Sequence, residues 1–178
     1  LPGREILAAK TGTANRDIAA MSKTDMSDTT REYLTFVVDG QDYGIDLLSV
    51  TEIRGWTAER PLPNSPAHVR GVINLRGLVI PIYDLRIRLG AEAVPPTVSN
   101  VVIVVQAAAG DFGLLVDSVS DILPVADRER QPVPPTAIAA SDDFLAALVA
   151  RDSRMVSLID LDRLVDANSA DAPNLLAA

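Results

Sequence analysis

Residues 42–53 read DYGIDLLSVTEI and residues 111–122 read DFGLLVDSVSDI. Laid over one another at an offset of 69, five of the twelve positions are identical and five more are conservative. A gapless match of this length inside one chain means that the halves are related, and a fold proposed for one must serve the other. Further on, IYDL at 82–85 matches LIDL at 158–161 at an offset of 76, which puts the additional residues into loops.

Around these matches the pattern is that of short strands. YLTFVV at 33–38 is β-branched and aromatic, Asp39-Gly40 is a turn pair, and Tyr43, Ile45 and Leu47 then alternate with Asp42, Gly44 and Asp46, the signature of a hairpin. VINL and LVIPIYD form a second hairpin across Arg76-Gly77. Pro81 has no N–H to give a ladder and marks an edge, a bulge or a barrel corner. Ser65 with Pro66 predicts an N-cap and a helical turn. Asp84 and Asp160 are each expected to cap a short helix after the last strand of a half, with Leu85 and Leu89 on one face and Gly90 ending the first. SDDFLAALVA at 141–150 has helix-forming residues, yet the duplication assigns its later part to a strand opposite MVSLI, with RDSR as the turn.

These readings predict an all-β-dominated body of two similar units, about 33–90 and 98–167, with short helices. In a unit this small, five short strands close into a barrel, because an open sheet leaves two adhesive edges. Residues 1–30 lack periodicity and are expected to be a disordered extension, and 168–178 a tail. MSKTDMSDTT, from Met21, has the look of a natural start, so the first twenty residues are expected to derive from an added leader or an upstream start codon.

Composition narrows the function. The chain has 178 residues, 48% of them apolar, enough for a real core. It lacks cysteine, which removes disulfides, thiolate nucleophiles and thiolate zinc sites, and it has a single histidine. A net charge of -8 repels phosphate backbones, and 4% aromatics offer little stacking surface, so nucleic acid is not expected as a partner. No apolar run approaches membrane-spanning length and no signal peptide is visible, so a soluble, intracellular protein without direct membrane insertion is expected.

Enzymatic motifs are weak. Asp111-Phe112-Gly113 spells the metal-holding triplet of protein kinases, but the rest of that signature set is missing and the first half has Asp42-Tyr43-Gly44 at the same place. Asp117 with Asp121, or Asp160 with Asp162, could form an acid–base pair. Asp160 reads better as a cap and Asp162 as a charge in the first helical turn. Asp117 and Asp121, four apart on a predicted strand, read as a solvated acidic face, and His68 as a surface histidine. Glu52 and Arg76, 24 residues apart, are candidates to meet when a barrel closes. Exposed, the pair is worth about 0 to 1 kcal/mol. In an apolar groove lined by Val50 and Ile53, loss of one partner would cost up to roughly 3 kcal/mol.

FVVDGQDYGIDLLSVTEIRG, PNSPAHVRGVINLRGLVIPIYDLRIRLG, VVIVV, FGLLVDSVSDIL and RMVSLIDLDRLV, taken in order from Tyr33 to Val165, closely resemble the CheW family of chemotaxis coupling proteins. The resemblance implies a CheW-like domain over 31–167, made of two interlocked SH3-like five-stranded β-barrels around a shared apolar core. It implies a non-enzymatic, cofactor-free adaptor in the cytoplasm, recruited to membrane-associated receptor arrays. Its partners would be methyl-accepting chemotaxis receptors and the regulatory domain of the histidine kinase CheA. The receptor-facing residues would be Val50, Glu52 and Ile53, with Gly71, Arg76 and Gly77 nearby. The kinase-facing surface is expected near Asn100, Val101 and Val102 on the second barrel. A CheW-like scaffold in a non-motility pathway is the alternative, and an acid-pair hydrolase the remote one.

Overall fold

The structure is a computed structural model, and it describes residues 28–135 and 143–166. The expected disorder of 1–30, apart from its last three residues, and the tail at 168–178 lie outside the described residues. The strands are β1 (Thr30–Val38), β2 (Gln41–Asp46), β3 (Val50–Gly55), β4 (Val69–Leu75), β5 (Leu78–Asp84), β6 (Val101–Ala107), β7 (Gly110–Val116), β8 (Ser118–Ala126), β9 (Leu145–Arg151) and β10 (Arg154–Ile159). Two short helices, α1 (Leu85–Arg88) and α2 (Leu161–Asp166), follow β5 and β10.

The strands form two five-stranded sheets, ordered β8-β1-β2-β10-β9 and β3-β6-β7-β5-β4. The repeat makes β3 equivalent to β8, β6 to β1, β7 to β2, β5 to β10 and β4 to β9, so the two orders are the same order. Each half is a hairpin followed by three strands, and each sheet combines the hairpin of one half with the three strands of the other. This corrects the expectation of barrels at 33–90 and 98–167: the repeat unit in sequence is not the packing unit in space. Each sheet is closed by the continuation of its first strand, through the antiparallel bridges Arg60–Val72 and Gln131–Leu148, again equivalent positions. The result is a pair of interlocked SH3-like barrels.

The hairpins β1–β2 and β6–β7 are buried on both faces, which explains their unbroken apolar runs. Val102, Val104 and Leu115 face the interior of one barrel with Ile80 and Ile82. Tyr33 faces the interior of the other with Val149, Val156 and Leu158. The alternate residues Leu34, Phe36, Val38, Ile103, Val105, Leu114 and Val116 meet in a third core shared by both barrels, completed by Leu85, Leu161 and Leu164 from the helices. An exchanged pair of hairpins thus makes the interface.

Local expectations fare unevenly. Asp84 caps α1, its Oδ1 accepting from the N–H of Arg86 at 3.1 Å and Ile87 at 3.4 Å, and Asp160 accepts equivalently from Asp162 and Arg163. The later part of 141–150 is strand β9, paired with β10 across Asp152-Ser153. The helical turn after Ser65 does not form. Val69 N–H donates to the Pro66 carbonyl in a tight turn, and Ser65 Oγ donates to Leu62 O instead of capping.

Pro81 sits where its missing N–H costs nothing. It lies opposite Val72, whose own N–H and C=O are turned the other way, to Arg60. The parallel ladder between β5 and β7 begins one residue later, at Ile82–Gly113. At the equivalent place in the second half, Ser157 does pair, with Tyr43, and the ladder runs through it.

Candidate functional site

Glu52 and Arg76 meet. Arg76 Nη2 donates to Glu52 Oε2 at 3.1 Å, joining β3 to the turn between β4 and β5. These are the two ends of the sheet order, so only closure of the barrel brings the residues together. Arg76 and Gly77 have φ of +52° and +90°, a type I′ turn, with Asn74 Oδ1 accepting from the Gly77 N–H at 2.9 Å. The left-handed conformation costs an arginine about 1 kcal/mol or more, and its side chain is 80% exposed.

A bulge in β3 decides which neighbours the pair has. Val50 lies opposite Val105, but Glu52 lies opposite Val104, leaving Thr51 as the additional residue. Residues paired across a ladder share a face. Val50 and Ile53, opposite Val105 and Ile103, therefore face the side of the shared core, although simple alternation would place them on opposite sides. Glu52 and Arg54, opposite Val104 and Val102, face the other way. Val50 packs against the shared core, while Ile53 remains 46% exposed. The ion pair is consequently on the opposite face of β3 from Ile53 and not inside a groove lined by Val50 and Ile53.

Gly71 has a packing reason of its own. It is buried at φ +153°, and a Cβ there would run into the Arg60 carbonyl that closes the barrel. Leu78 and Val79, which follow the turn, are both exposed. Together with Arg54, Arg60, Val72 and Asn74, Val79 borders a cleft of about 400 Å³. Sequence reading missed Leu78 and Val79 because LVIPIYD scans as one buried run. The repeat carried the missing signal, since the equivalents of Leu78 and Val79 are Arg154 and Met155, and a strand start that tolerates arginine is not core.

The expected kinase-facing stretch needs correction. Val102 is 2% exposed, inside the barrel with Ile80 and Ile82, and presents nothing to a partner. Val101 packs against the shared core. Asn100 is tied internally: Oδ1 accepts from Thr97 N–H at 2.7 Å and Nδ2 donates to Val116 O at 3.1 Å. An apolar β6 is buried on both faces because it belongs to the exchanged hairpin. It also lies in the same barrel as Glu52 and Arg76, not in a separate second one.

The carboxylates of the acid pairs are taken up by structural hydrogen bonds. Asp117 Oδ2 accepts from Arg86 at 2.6 Å and from the Asp39 N–H at 2.8 Å, so it is not a solvated face. Asp121 Oδ1 accepts from the Ile122 N–H at 2.8 Å, while its backbone N–H and carbonyl are both bonded to Thr35 Oγ1. Asp162 Oδ1 accepts from the Ala108 N–H at 2.8 Å. In the kinase-like triplet, Phe112 is core and Gly113 packs against Ile82, while Asp111 pairs with Gln106 in the hairpin. His68 is half-buried and stacked on Tyr83 at 5.9 Å, more enclosed than a surface histidine. Among the described residues no three acidic or histidine side chains converge as a metal site, and no helix is long and apolar enough to cross a membrane.

The family model of the CheW-like domain matches residues 32–169. A chemotaxis protein CheW of Rhizobium meliloti is 45% identical over 142 residues, covering 80% of this chain and 92% of that protein. A chemotaxis protein CheW of Klebsiella aerogenes is 35% identical over 148 residues, covering 83% and 89%. The crystal structure of the scaffolding protein TtCheW from Thermoanaerobacter tengcongensis superposes with a TM-score of 0.73 at 26% identity, covering 81% of this chain and 98% of that one. By sequence over most of its length and by its paired five-stranded barrels, this chain belongs to the CheW family of chemotaxis proteins.

Proposed function

We propose that the protein is a non-enzymatic adaptor that couples chemoreceptor signalling tips to the regulatory domain of the histidine kinase CheA, in the cytoplasm at receptor arrays. The observation that carries this reading is Arg76. An arginine held at φ +52° on an exposed turn adds little stability, because its ion pair with Glu52 is worth about 0 to 1 kcal/mol and its backbone costs at least as much. A residue kept at such a position is explained by what it presents outward. Next along the chain, Leu78 and Val79 offer exposed apolar contact, and Ile53 offers more from the other face of β3. In this reading the apolar residues supply contact area, and Glu52 with Arg76 fix the orientation of a helical hairpin laid against them. Val50, Gly71 and Gly77 shape the surface from behind.

An adaptor needs weak contacts that add. Two interfaces of about 1,000 Å² or less on one rigid body give modest separate affinities, and linkage within an array raises the effective concentration of each. The relatives named chemotaxis protein CheW and the scaffolding protein TtCheW support the same reading.

The test is Arg76→Glu. The variant should fold normally, because the side chain is exposed. It should lose capture by a receptor signalling fragment and lose receptor-dependent kinase activation, while still binding the kinase regulatory domain. Normal activation at wild-type protein levels would refute the role given to Arg76.

A further inference from the structure

The repeat gives the molecule two equivalent crossings, where the chain leaves one barrel for the other: Leu47–Ser49 between β2 and β3, and Asp117 alone between β7 and β8. Their surroundings have diverged. We propose that Asp39, Arg86 and Asp117 form an ionic latch that locks the barrels together at the Asp117 crossing only, so that they part from the other crossing.

Arg86 stands in α1, on the barrel of β3–β7. Its Nη1 meets Asp39 Oδ1 at 2.8 Å, on the β1–β2 turn of the opposite barrel, and its Nη2 meets Asp117 Oδ2 at 2.6 Å. The Asp39 N–H donates to the same carboxylate, and the Asp117 N–H donates to Val37 O in β1 at 3.0 Å. One guanidinium thus holds a turn of one barrel, a helix of the other and the chain passing between them. Charge-assisted bonds are about twice as strong as neutral ones, and the Arg86 side chain as a whole is 21% exposed. The Asp117 hydrogen bond, with the charges of Asp117 and Asp39, raises Arg86 above the ordinary arginine value against the opposing effect of burial.

At the other crossing the repeat substitutes Asp162 for Arg86, Ala108 for Asp39 and Leu48 for Asp117. Among these three residues the bond described is the one from the Ala108 N–H to Asp162 Oδ1 at 2.8 Å, and Leu48 is 95% exposed. Each crossing borders a cleft, of about 250 Å³ beside Arg86 and Asp117 and about 380 Å³ beside Asp162 and Ala108. The larger opening is at the unlatched end.

Amide hydrogen exchange on the full chain tests this, independently of any partner. Arg86→Met keeps the aliphatic stem and removes the charge. It should speed exchange of the Asp39 and Asp117 amides about ten-fold and leave the Ala108 amide unchanged. Arg86→Lys, which keeps the charge without the fork, should fall between. Asp162→Ala should speed Ala108 alone. Should Arg86→Met fail to fold, Asp39→Asn is the second variant: asparagine tolerates the left-handed φ of +51°, and exchange at Asp117 must still rise without change at Ala108. Equal acceleration at both crossings, or none at Asp117 in Asp39→Asn, overturns the latch.

Discussion

Asp84 is the residue whose chemistry most directly exposes the balance of forces in the fold. It is 3% exposed, caps α1 through two backbone N–H groups, and has Arg70 Nε at 3.6 Å. Burial pushes its carboxyl above the ordinary aspartate value, outweighing the Ile87 and Arg86 hydrogen bonds and the charges of Arg70 and Arg86. In the window from the unfolded value, about 4, up to the raised folded value, the folded chain holds more protons than the unfolded one. Stability from this group is therefore fully present below the window and is lost as pH rises through it. Asparagine keeps the capping oxygen and cannot ionise. Urea midpoints at pH 4.5 and 7.5 should show the wild type gaining on Asp84→Asn at the lower pH. Asp84→Ala, without a cap, should be less stable than Asp84→Asn by about 1 kcal/mol at both. A wild type that instead loses ground on acidification would mean that Arg70 and the caps outweigh burial.

At the scale of the element, the parallel ladders carry the repeat's most informative glycines. Gly44 and Gly113 are equivalent, and each is crossed closely by the last strand of the other half, β10 and β5 respectively. A Cβ on Gly44 would meet Leu158 Cδ2 at 3.0 Å, whereas one on Gly113 would clash with Ile82 Cδ1 and approach Val102 Cγ1 to 2.9 Å. Ile82 can rotate, but the β-branched Val102 is stiff and fully packed. Gly113→Ala should cost about 1 to 3 kcal/mol by overpacking, and Gly44→Ala less. Ile82→Val, which deletes the clashing Cδ1, should recover part of the loss in a double variant measured by denaturant unfolding. The identity of these glycines was legible as sequence. Their reason was not, because it depends on which strand crosses them. The same limit explains the other misses. Strands, turns and caps at Asp84 and Asp160 follow from local chemistry and could be read directly. The facing of Val50, Glu52 and Ile53 hangs on one bulged residue, Thr51, and the burial of Val102 hangs on packing against Ile80 and Ile82 of a strand 20 residues or more away. Glu52 and Arg76 could be paired from sequence only as a consequence of closure, and closure rests on a bridge at Arg60 that no local pattern announces.

For the whole molecule, connector length explains why the halves exchange hairpins. In the observed barrels β8 flanks β1 and runs in the same direction as β2, since both are antiparallel to β1. For the first half to close on itself, β3 would have to take that place, two strands away from β2 and parallel to it. Such a connection must travel back the length of a strand and needs about a dozen residues. Only Leu47–Ser49 are available, and in the second half only Asp117. Three residues reach about 10 Å, and a six-residue strand spans about 20 Å. The chain is therefore obliged to enter the other barrel, and the repeat makes that exchange reciprocal. A chain divided between residues 94 and 95 should then give two fragments of which neither is a folded monomer. Each should be unfolded or paired with a second copy of itself, and mixing them should give a one-to-one complex with restored β-sheet circular dichroism and cooperative unfolding. A folded monomeric half, seen by light scattering with a cooperative melt, would defeat the connector argument. The converse is the sharper test. Adding about twelve Gly/Ser residues between Leu47 and Ser49 supplies the missing reach, so the lengthened first fragment should close β3 against its own β1 and become monomeric. If it remains unfolded or dimeric, the obligation to exchange lies in side-chain complementarity between the two hairpin sequences and not in the geometry of the crossing.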